Sequence, residues 1–362
     1  MEDDVKYMRM AVELAERGRG FTNPNPIVGA VIVRDGEVMG CGWHRGYGMP
    51  HAEREALADC REDVGGAVLY VTLEPCCHHG KTPPCTDAVI EAGIRKVVMG
   101  MEDPNPLVAG KGRALLEAAG VEVVCGVEAG TVRAQNKVFV KYVSEGMPWI
   151  AVKTAMTLDG KIASPYGDTM RITGEEARLR VHGMRAEFMG IVVGARTAAI
   201  DDPLLNCRLE GKHRQPVRIV VSSRAILPPQ SRILATAALY PLIVAHTEEA
   251  PEGNLERIRR AGGETLLCGS CAGGVDTADM ARRLGKRGMD SLLVEGGGNL
   301  NFSVLRQGLA DEVYAFIAPA IAGGRNTLSP VEGEGFEEML SLENMRAEFV
   351  GADLLVHAYI RK

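Results

Sequence analysis

The sequence predicts a two-domain α/β protein, with one domain at residues 1–145 and a second at 146–362. The chain has 362 residues, which is about twice the length of a common single domain. Hydrophobic residues make up 46% of it and charged residues 24%, enough for two ordinary cores in a globular protein. Strand-like and helix-like stretches alternate, and the alternation is interrupted around Tyr142–Pro148, where Gly146 and Pro148 are typical of a domain boundary.

The first half alternates predicted helices and strands. Residues 5–17 are predicted to form an amphipathic helix, because apolar residues recur there at helical spacing. Residues 27–34 and 37–42 are predicted to form a β-hairpin, because the intervening Asp35-Gly36 favours a tight turn. Further elements are predicted at 51–59 (helix), 67–73 (strand), 85–92 (helix), 96–101 (strand), 112–119 (helix) and 121–125 (strand). This order indicates a mixed sheet sandwiched between helices.

The second half begins with a new apolar strand at Trp149–Lys153. Further strands are predicted at 190–194, 217–221, 242–245 and 291–294, with helical stretches between them. The last two strand-like segments, 313–317 and 354–360, have no long helix between them. We therefore expect a second α/β domain that ends in an antiparallel tail.

Charge, hydropathy and cysteine count exclude several classes of protein. The formal net charge is −6, which argues against nucleic-acid binding, since that usually needs a basic face. No run of about 18 apolar residues occurs, and Met1–Asp4 is acidic, unlike the basic start of a secretory signal. We expect a cytoplasmic protein with no nucleic-acid or membrane partner, and a homo-oligomer is left open. Nine cysteines, an odd number, favour metal ligation or buried thiols over disulfides.

The residues around His51 and Cys76 carry the strongest chemical signal. His51-Ala52-Glu53 is followed by Pro75-Cys76 and then by Cys85. One imidazole and two thiolates suit a catalytic zinc, which keeps its fourth position open for water and lowers the pKa of that water towards neutrality. Glu53, two residues after His51, is the candidate proton shuttle. A His-x-Glu pair followed by Pro-Cys and a second Cys is the signature of zinc-dependent nucleobase deaminases.

The spacing of the two cysteines departs from that general signature. Eight residues separate Cys76 from Cys85, where the signature has two. Cys77 and Cys60 are further candidate thiols. Cys76 is preferred because it directly follows Pro75, and Cys85 because it opens a predicted helix, whose N-terminus stabilises a thiolate. The alternative interpretation is that these are ordinary buried thiols beside a surface histidine.

Several motifs together resemble the bifunctional deaminase/reductase family of riboflavin biosynthesis. They are Asn23–Gly29 (Asn-Pro-Asn-Pro-Ile-Val-Gly), His51–Glu53, Thr72–Cys85 and Asp103–Pro106 (Asp-Pro-Asn-Pro). The long insertion between Cys76 and Cys85 is a feature of this family, and the resemblance covers nearly the whole chain. One departure is Cys77, where the family usually has Ser, and this leaves Cys76 as the preferred ligand.

The resemblance implies a cytidine-deaminase-like α/β/α sandwich for the first domain. This domain would deaminate the 2-amino group of a diaminopyrimidinone that carries a ribosylamino 5′-phosphate. His51, Cys76 and Cys85 would hold Zn²⁺, with Glu53 as the proton shuttle.

Two further segments are implied to contact this substrate. Asn25 would hydrogen-bond the pyrimidine, while an Asn followed by Pro is equally typical of a turn. Lys81 and the two histidines before it would meet the substrate phosphate. The alternative for this segment is a solvated loop.

Three segments of the second half carry chemical signals of their own. Leu293–Leu300 contains Glu295 and three successive glycines between a strand and a helix, where close backbone approach and a helix N-terminus attract phosphate. A glycine-rich helix entry without a ligand is the alternative, since this is not the Rossmann fingerprint. Thr157–Ala163 follows a strand, and Gly194–Leu205 carries the adjacent Asp201 and Asp202 before a Pro, which is also typical of a turn that ends a helix.

With the family in view, these segments resemble the reductase half, which is similar to dihydrofolate reductase in fold. It would use NADPH to reduce the ribose of the deaminated product to a ribityl chain. Lys153 and Asp202 would orient or protonate the sugar, and Glu295 would face the ribose. The implied substrate contacts are Met170, Arg185, Leu205 and Arg208, with the arginines pairing with phosphate.

The resemblance also implies the NADPH contacts of the second domain. They are Ala155, Met156, Ile172, Ala198, Asp202, Ser223, Gly297, Gly298 and Asn299. For the arginines, surface salt bridges are the alternative. Arg171 stands where relatives often have Trp, so stacking on the cofactor at this position is not expected.

Two other functions remain as alternatives. A nucleic-acid or free-base deaminase with an unrelated appendage predicts a short Cys-x-x-Cys and a basic face, and the sequence has neither. A structural-zinc binding module would normally have four protein ligands, and His78, His79 or Cys77 would have to complete the set. Whether the metal carries a water distinguishes this module from an enzyme.

Overall fold

The computed structural model describes residues 2–78, 83–106, 108–163, 171–211, 213–325 and 327–361. The chain divides into two compact units, Met1–Gly146 and Met147–Lys362. None of the described helices combines the length and the apolar character that a membrane crossing requires.

The N-terminal unit contains six helices and five strands among its described residues. The helices are α1 (Glu2–Glu16), α2 (Ala52–Asp59), α3 (Cys85–Glu91), α4 (Lys111–Ala118), α5 (Ala129–Gln135) and α6 (Lys137–Glu145), and the strands are β1 (Gly29–Arg34), β2 (Glu37–Trp43), β3 (Val68–Leu73), β4 (Lys96–Met101) and β5 (Glu122–Cys125). All the elements predicted for residues 5–125 are confirmed to within a few residues at their ends. Helices α5 and α6 were not predicted, and α6 runs to Gly146, whose φ of 67° ends the helix in the left-handed region.

The five strands form one mixed sheet in the order β2-β1-β3-β4-β5. Strand β1 pairs antiparallel with β2 and β3, while β3, β4 and β5 are parallel. Helix α1 packs through Met8 and Ala11 on one face, and α2 packs through Ala52 and Ala56 on the other. The predicted α/β/α sandwich is therefore confirmed.

Helix α2 lies unusually close to strand β2, and a glycine allows it. A Cβ atom on Gly42 would stand 2.3 Å from the Ala56 nitrogen and 2.5 Å from the Ala52 oxygen. No side chain fits between these two backbones, because carbon rarely approaches such atoms closer than about 3.5 Å. Since His51 caps α2 and Glu53 lies in its first turn, this contact fixes the height of both residues above the sheet.

The C-terminal unit is a larger α/β layer structure. Its described helices are α7 (Glu175–Glu187), α8 (Ala195–Asp201), α9 (Arg232–Ala235), α10 (Glu252–Arg260), α11 (Thr277–Lys286) and α12 (Gly298–Arg306). Its described strands are β6 (Trp149–Thr157), β7 (Gly190–Gly194), β8 (Val217–Val221), β9 (Leu242–His246), β10 (Glu264–Leu267), β11 (Ser270–Cys271), β12 (Gly274–Val275), β13 (Ser291–Val294), β14 (Glu312–Ala318), β15 (Leu342–Val350) and β16 (Asp353–Ile360).

Nine of these strands form one sheet in the order β10-β9-β8-β7-β13-β6-β14-β16-β15. The run from β10 to β14 is parallel, and β14, β16 and β15 are antiparallel. Separate buried clusters cover the two faces of the sheet. The predicted antiparallel tail is confirmed, but β15 was not predicted. It is exposed along almost its whole length, so no burial imposes an alternating pattern on its sequence.

We expect Gly42→Ala to destabilise the N-terminal unit by about 2 kcal/mol, the usual cost of overpacking, and to weaken metal binding by shifting α2. Urea unfolding and metal titration measure the two effects. Gly130→Ala is the matched control, because a Cβ there meets nothing within 4 Å, and its stability should stay unchanged or rise slightly. Equal stability of the two variants would contradict the tight-contact explanation.

Candidate zinc, substrate and cofactor sites

Three separate segments bring the predicted metal ligands together at one end of the N-terminal sheet. His51 is the N-cap residue of α2 and Cys85 is the first residue of α3, while Cys76 follows the end of β3. The Cys76 carbonyl accepts hydrogen bonds from the nitrogens of Cys85 and Thr86, at 3.0 and 3.2 Å. These bonds fix the loop after β3 to the start of α3, so both sulfurs face the same point.

The geometry of this cluster fits a zinc ion. The Nδ1 atom of His51 lies 3.4 Å from the Sγ atoms of both Cys76 and Cys85, and the three candidate ligand atoms all lie within 4.8 Å of one another. In tetrahedral coordination, zinc–sulfur and zinc–nitrogen bonds of about 2.3 and 2.0 Å place neighbouring sulfur and nitrogen ligands about 3.5 Å apart. Among the described residues, Cys77 and Cys60 do not belong to this group.

The local electrostatics favour a thiolate at this point. The hydrogen bond from the Cys85 thiol lowers the pKa of Cys76 to about 4, against the opposing effect of burial. The same contact, together with burial, raises the pKa of Cys85. Hydrogen bonding to Cys76 raises the pKa of His51. A negative sulfur held beside an imidazole and a second sulfur is a donor set of the kind that zinc prefers.

Glu53 is the buried carboxyl group next to the metal ligands. Its residue is only 3% exposed, and burial raises its pKa to about 7, with the Cys76 charge acting in the same direction. A carboxyl group with a pKa near neutrality exchanges protons readily in both directions. A bound cation would oppose this rise, since positive charge favours the carboxylate.

A cavity of about 230 Å³ lies in front of the cluster. Its polar lining includes four of the predicted residues, Asn25, His51, Glu53 and Cys76. It also includes residues that the sequence did not single out for a role: His44, Glu74, Asp103 and Asn105. The Asp103–Pro106 motif was visible in the sequence, but its two polar residues had no local pattern that assigned them a function.

Asn25 combines its turn position with a place in the cavity wall. Its backbone nitrogen donates to the Thr22 carbonyl at 2.9 Å, and its side-chain nitrogen lies 3.3 Å from Nε2 of His44. The His44 ring is fixed on its other side, where Nδ1 lies 3.0 Å from the Pro50 oxygen. Burial lowers the pKa of His44, so this ring favours the neutral form. Lys81 and His79 lie outside the described residues, and His78 lines the cavity.

The second candidate site lies at the carboxyl ends of the parallel strands in the C-terminal unit. Two neighbouring cavities of about 290 and 170 Å³ share Ile162, Thr197, Asp201 and Gly297 in their walls, and together they form one cleft. Ligands of open parallel sheets usually bind at this edge. The predicted residues that line the cleft are Lys153, Ala155, Ile172, Glu295, Gly297, Gly298 and Asn299.

A buried charge cluster lies at the base of the cleft. Arg185 donates to both carboxylate oxygens of Glu295, at 2.7 and 2.9 Å, and the Lys153 Nζ atom lies 3.5 Å from the same carboxylate. Burial alone would raise the pKa of Glu295, but the charges of Arg185 and Lys153 outweigh it and hold the pKa at about 2. Glu295 therefore stays ionised and orients the Lys153 ammonium group.

Two predicted residues of this unit make contacts within the protein. Arg185, which is predicted to pair with phosphate, donates two hydrogen bonds to Glu295. Asp202, which is predicted to act on the sugar and the cofactor, accepts a 2.6 Å hydrogen bond from the Arg232 nitrogen through its carboxylate. Asp202 is the left-handed C-cap of α8, so its side chain turns towards α9, and its neighbour Asp201 lines the cleft instead.

Five other predicted contacts, Arg208 among them, do not line the cleft in the described part of the chain. Ala198 and Leu205 are fully packed in the core, and Met156 lies on the opposite face of β6 from Lys153 and Ala155, since side chains alternate along a strand. Ser223 binds Thr247 through its carbonyl. Met170 lies outside the described residues.

The glycines before α12 line the cleft, and one of them is also required by packing. A Cβ atom on Gly298 would stand 2.5 Å from the Glu332 side chain and 2.6 Å from the Ser329 oxygen. At Gly297 the nearest atom would be the Thr197 hydroxyl, at 3.2 Å. The 329–332 loop therefore requires glycine at 298, whereas position 297 leaves backbone open to the cleft.

Arginines crowd one side of the cleft. Arg178 and Arg185 project from one face of α7, and Arg178 lines the cleft. Burial and the charges of Arg185, Arg232 and Arg178 lower the pKa of Arg208, while burial and the charges of Arg185 and Arg208 lower the pKa of His182 to about 4. Positive charge on several neighbouring side chains favours an anionic ligand.

Comparison with known proteins places both sites in one family. Residues 148–356 match the RibD C-terminal domain, and residues 1–101 match the cytidine and deoxycytidylate deaminase zinc-binding region. The riboflavin biosynthesis protein RibD of Actinobacillus pleuropneumoniae is 44% identical over 98% of this chain and 94% of its own. The chain belongs to the RibD family.

Solved structures agree with this membership along the whole length of the chain. The RibD structure from Acinetobacter baumannii has a TM-score of 0.89 at 33% identity and covers 99% of both chains. A diaminohydroxyphosphoribosylaminopyrimidine deaminase/5-amino-6-(5-phosphoribosylamino)uracil reductase from Thermotoga maritima has a TM-score of 0.85 at 38% identity, again over 99% of both chains.

The protein is therefore a bifunctional deaminase and reductase of riboflavin biosynthesis. Its cofactors are those of the RibD domains, zinc in the deaminase unit and NADPH in the reductase unit. The His51, Cys76 and Cys85 cluster has the donor set and spacing for the metal.

The buried Glu295 cluster makes the reductase unit sensitive to acid. We expect Glu295→Gln to lower the free energy of unfolding at pH 7 by about 3 kcal/mol, because it leaves the Arg185 and Lys153 charges buried without their partner. The folded-state pKa is depressed from 4.5 to about 2, so the stabilisation is complete above pH 4.5 and is lost as the pH falls towards 2. Urea unfolding at pH 7 and pH 3.5 should show the wild-type advantage shrinking at the lower pH.

Glu256→Gln is the control for this measurement. Glu256 pairs with Arg260 on the surface, where ion pairs contribute little, so this variant should match the wild type at both pH values. An advantage of wild type over Glu295→Gln that is independent of pH would contradict the assignment.

Proposed function

We propose that the N-terminal unit deaminates 2,5-diamino-6-(5-phosphoribosylamino)pyrimidin-4(3H)-one and that the C-terminal unit then reduces the product. The second reaction uses NADPH to convert the ribose to a ribityl chain, which gives 5-amino-6-(5-phosphoribitylamino)uracil. The observation that carries the first step is the position of Nδ1 of His51, 3.4 Å from both sulfurs, with the buried Glu53 in the wall of the same cavity.

In the first reaction, His51, Cys76 and Cys85 hold zinc and Glu53 moves the proton. Zinc, when bound, supplies a water acidic enough to attack near neutral pH. Glu53 takes the proton from the attacking water and delivers it to the departing ammonia. Its burial keeps bulk water from competing for that proton. Asn25 and His44, which both line the cavity, orient the pyrimidine ring.

In the second reaction, residues of the cleft bind and orient the sugar phosphate. NADPH, when bound, supplies the hydride. Lys153, held by Glu295, and Asp201, in the wall of the same cleft, are the groups that donate or accept the accompanying proton. The arginine cluster supports a phosphate site at Arg178 and Arg208, because Arg178 lines the cleft and the charges of Arg185, Arg232 and Arg178 act on Arg208.

We expect Glu53→Gln to lower the rate of ammonia release about a thousandfold, because an amide cannot shuttle the proton. Zinc content per chain should equal that of the wild type, since Glu53 is not a ligand. NADPH oxidation with the deaminated intermediate should also be unchanged in the same full-length variant. Metal analysis, ammonia release and absorbance of NADPH measure the three quantities.

Glu55→Gln is the matched control for Glu53. Glu55 lies on the same helix and binds Arg45 at 2.6 Å, outside the cavity lining. Its deaminase activity should therefore be close to wild type. Ammonia release by Glu53→Gln at the rate of this control would remove Glu53 from the mechanism.

The adjacent aspartates provide a matched test of the reductase site. We expect Asp201→Asn to lower the rate of NADPH oxidation at least about a hundredfold, the usual contribution of a general acid or base. Asp202→Asn should cost stability through the bond to Arg232 and change the rate little. Steady-state rates of the two full-length variants, with the deaminated intermediate as substrate, decide between them. A larger loss of rate in Asp202→Asn would restore the sequence-based assignment.

A further inference from the structure

We propose that Glu74 is a positioning residue of the deaminase, which sets the distance between the metal ligands and the opposite wall of the substrate cavity. Glu74 directly follows β3 and precedes Cys76 by two residues. It is 4% exposed and lines the cavity. This inference rests on the proposed deaminase function of the N-terminal unit, and neither the metal nor the proton transfer requires it.

The Glu74 carboxylate accepts hydrogen bonds from three backbone nitrogens in the segment from Asp103 to Arg113. Its Oε2 atom accepts from the nitrogens of Asp103 and Gly110, at 3.1 and 2.9 Å, and its Oε1 atom accepts from the nitrogen of Arg113 at 3.0 Å. The Glu74 nitrogen in turn donates to the Met101 carbonyl at 3.1 Å. One buried side chain therefore joins the end of β3 to the end of β4 and to the start of α4.

Helix α4 depends on this carboxylate for its N-terminal cap. Its own N-cap residue is Gly110, which has a φ of 75° and no side chain to accept the exposed N–H groups. The carboxylate of Glu74 satisfies two of these groups and places negative charge at the positive end of the helix. Gly112 permits the approach, because a Cβ atom there would stand 2.2 Å from the Pro75 oxygen.

The segment held in this way forms part of the substrate cavity. Asp103 and Asn105 both line it, and the Asp103 carboxylate accepts a 2.8 Å hydrogen bond from the Asn105 nitrogen. The diaminopyrimidinone carries amino and ring N–H donors, which suit acceptors such as these. If Glu74 releases the segment, this wall moves relative to Cys76, whereas the zinc ligands and Glu53 keep their own supports. The consequence is weaker substrate binding with little change in the chemical step.

Glu74→Gln tests this proposal with almost no change in side-chain volume. The glutamine amide presents an N–H₂ group where a carboxylate oxygen accepted, so at least one of the three backbone donors loses its partner. We expect the KM for the diaminopyrimidinone phosphate to rise at least about tenfold, as loss of a buried hydrogen bond in a binding wall implies, and kcat to fall less than about threefold. Zinc content and NADPH oxidation with the deaminated intermediate should match the wild type. Amide hydrogen exchange should become faster in residues 102–118.

Two further variants complete the design. Glu102→Gln is the matched control, since Glu102 contacts the Arg113 side chain on the surface, and its KM should be that of the wild type. Glu74→Asp retains both carboxylate oxygens on a shorter side chain, so it should rescue part of the KM effect. If Glu74→Gln does not fold, the KM of Glu74→Asp is the measurement that tests the proposal.

Several outcomes would overturn the proposal. They are a wild-type KM in Glu74→Gln, a loss of kcat at constant KM, loss of zinc, or, where only Glu74→Asp folds, a wild-type KM in that variant. Failure of the proposed function looks different, because then the wild-type protein itself releases no ammonia from the diaminopyrimidinone phosphate.

Discussion

The deaminase unit depends on one constraint: two helices must begin at the point where one strand of the mixed sheet ends. His51 and Cys85 stand at the starts of α2 and α3, and Cys76 follows β3. Helix starts offer unpaired N–H groups and a positive partial charge, which favour thiolate and carboxylate there. The close contact of α2 with Gly42 then fixes the height of the imidazole. The backbone therefore places the donor set at one point.

The two units use buried carboxyl groups in opposite ways. Glu53 has no cation among the described side chains that outweighs its burial, and its pKa rises to about 7, which suits a group that must give and take a proton. Glu295 is equally buried, but Arg185 and Lys153 hold its pKa at about 2, which suits a fixed anchor for a neighbouring ammonium group. The same functional group therefore suits proton transfer in one site and support of a neighbouring charge in the other, because of the charges beside it.

Much of the fold followed from periodicity, and the zinc ligands followed from residue type and order. Most strands of the two sheets could be predicted because burial imposes apolar runs on them. Strands β10 and β15 were not predicted, since neither contains a fully buried residue. His51, Glu53, Cys76 and Cys85 could be found because zinc chemistry restricts the residue types at those positions. His44, Glu74 and Asp103 could not, because hydrogen-bonded polar residues in a cavity wall carry no spacing of their own.

The reductase site is harder to predict from the sequence for a different reason. Asp201 and Asp202 are neighbours in the sequence, and family resemblance alone cannot say which of them faces the cleft. The left-handed conformation of Asp202, with a φ of 37°, turns its side chain towards α9, and this rotation is a property of the folded backbone. The family resemblance predicts that Arg185 meets the substrate phosphate, and in the structure its guanidinium group also binds Glu295, 110 residues away in the sequence. A cationic side chain in a cleft is therefore evidence for an anionic ligand only after the protein's own carboxylates have been placed.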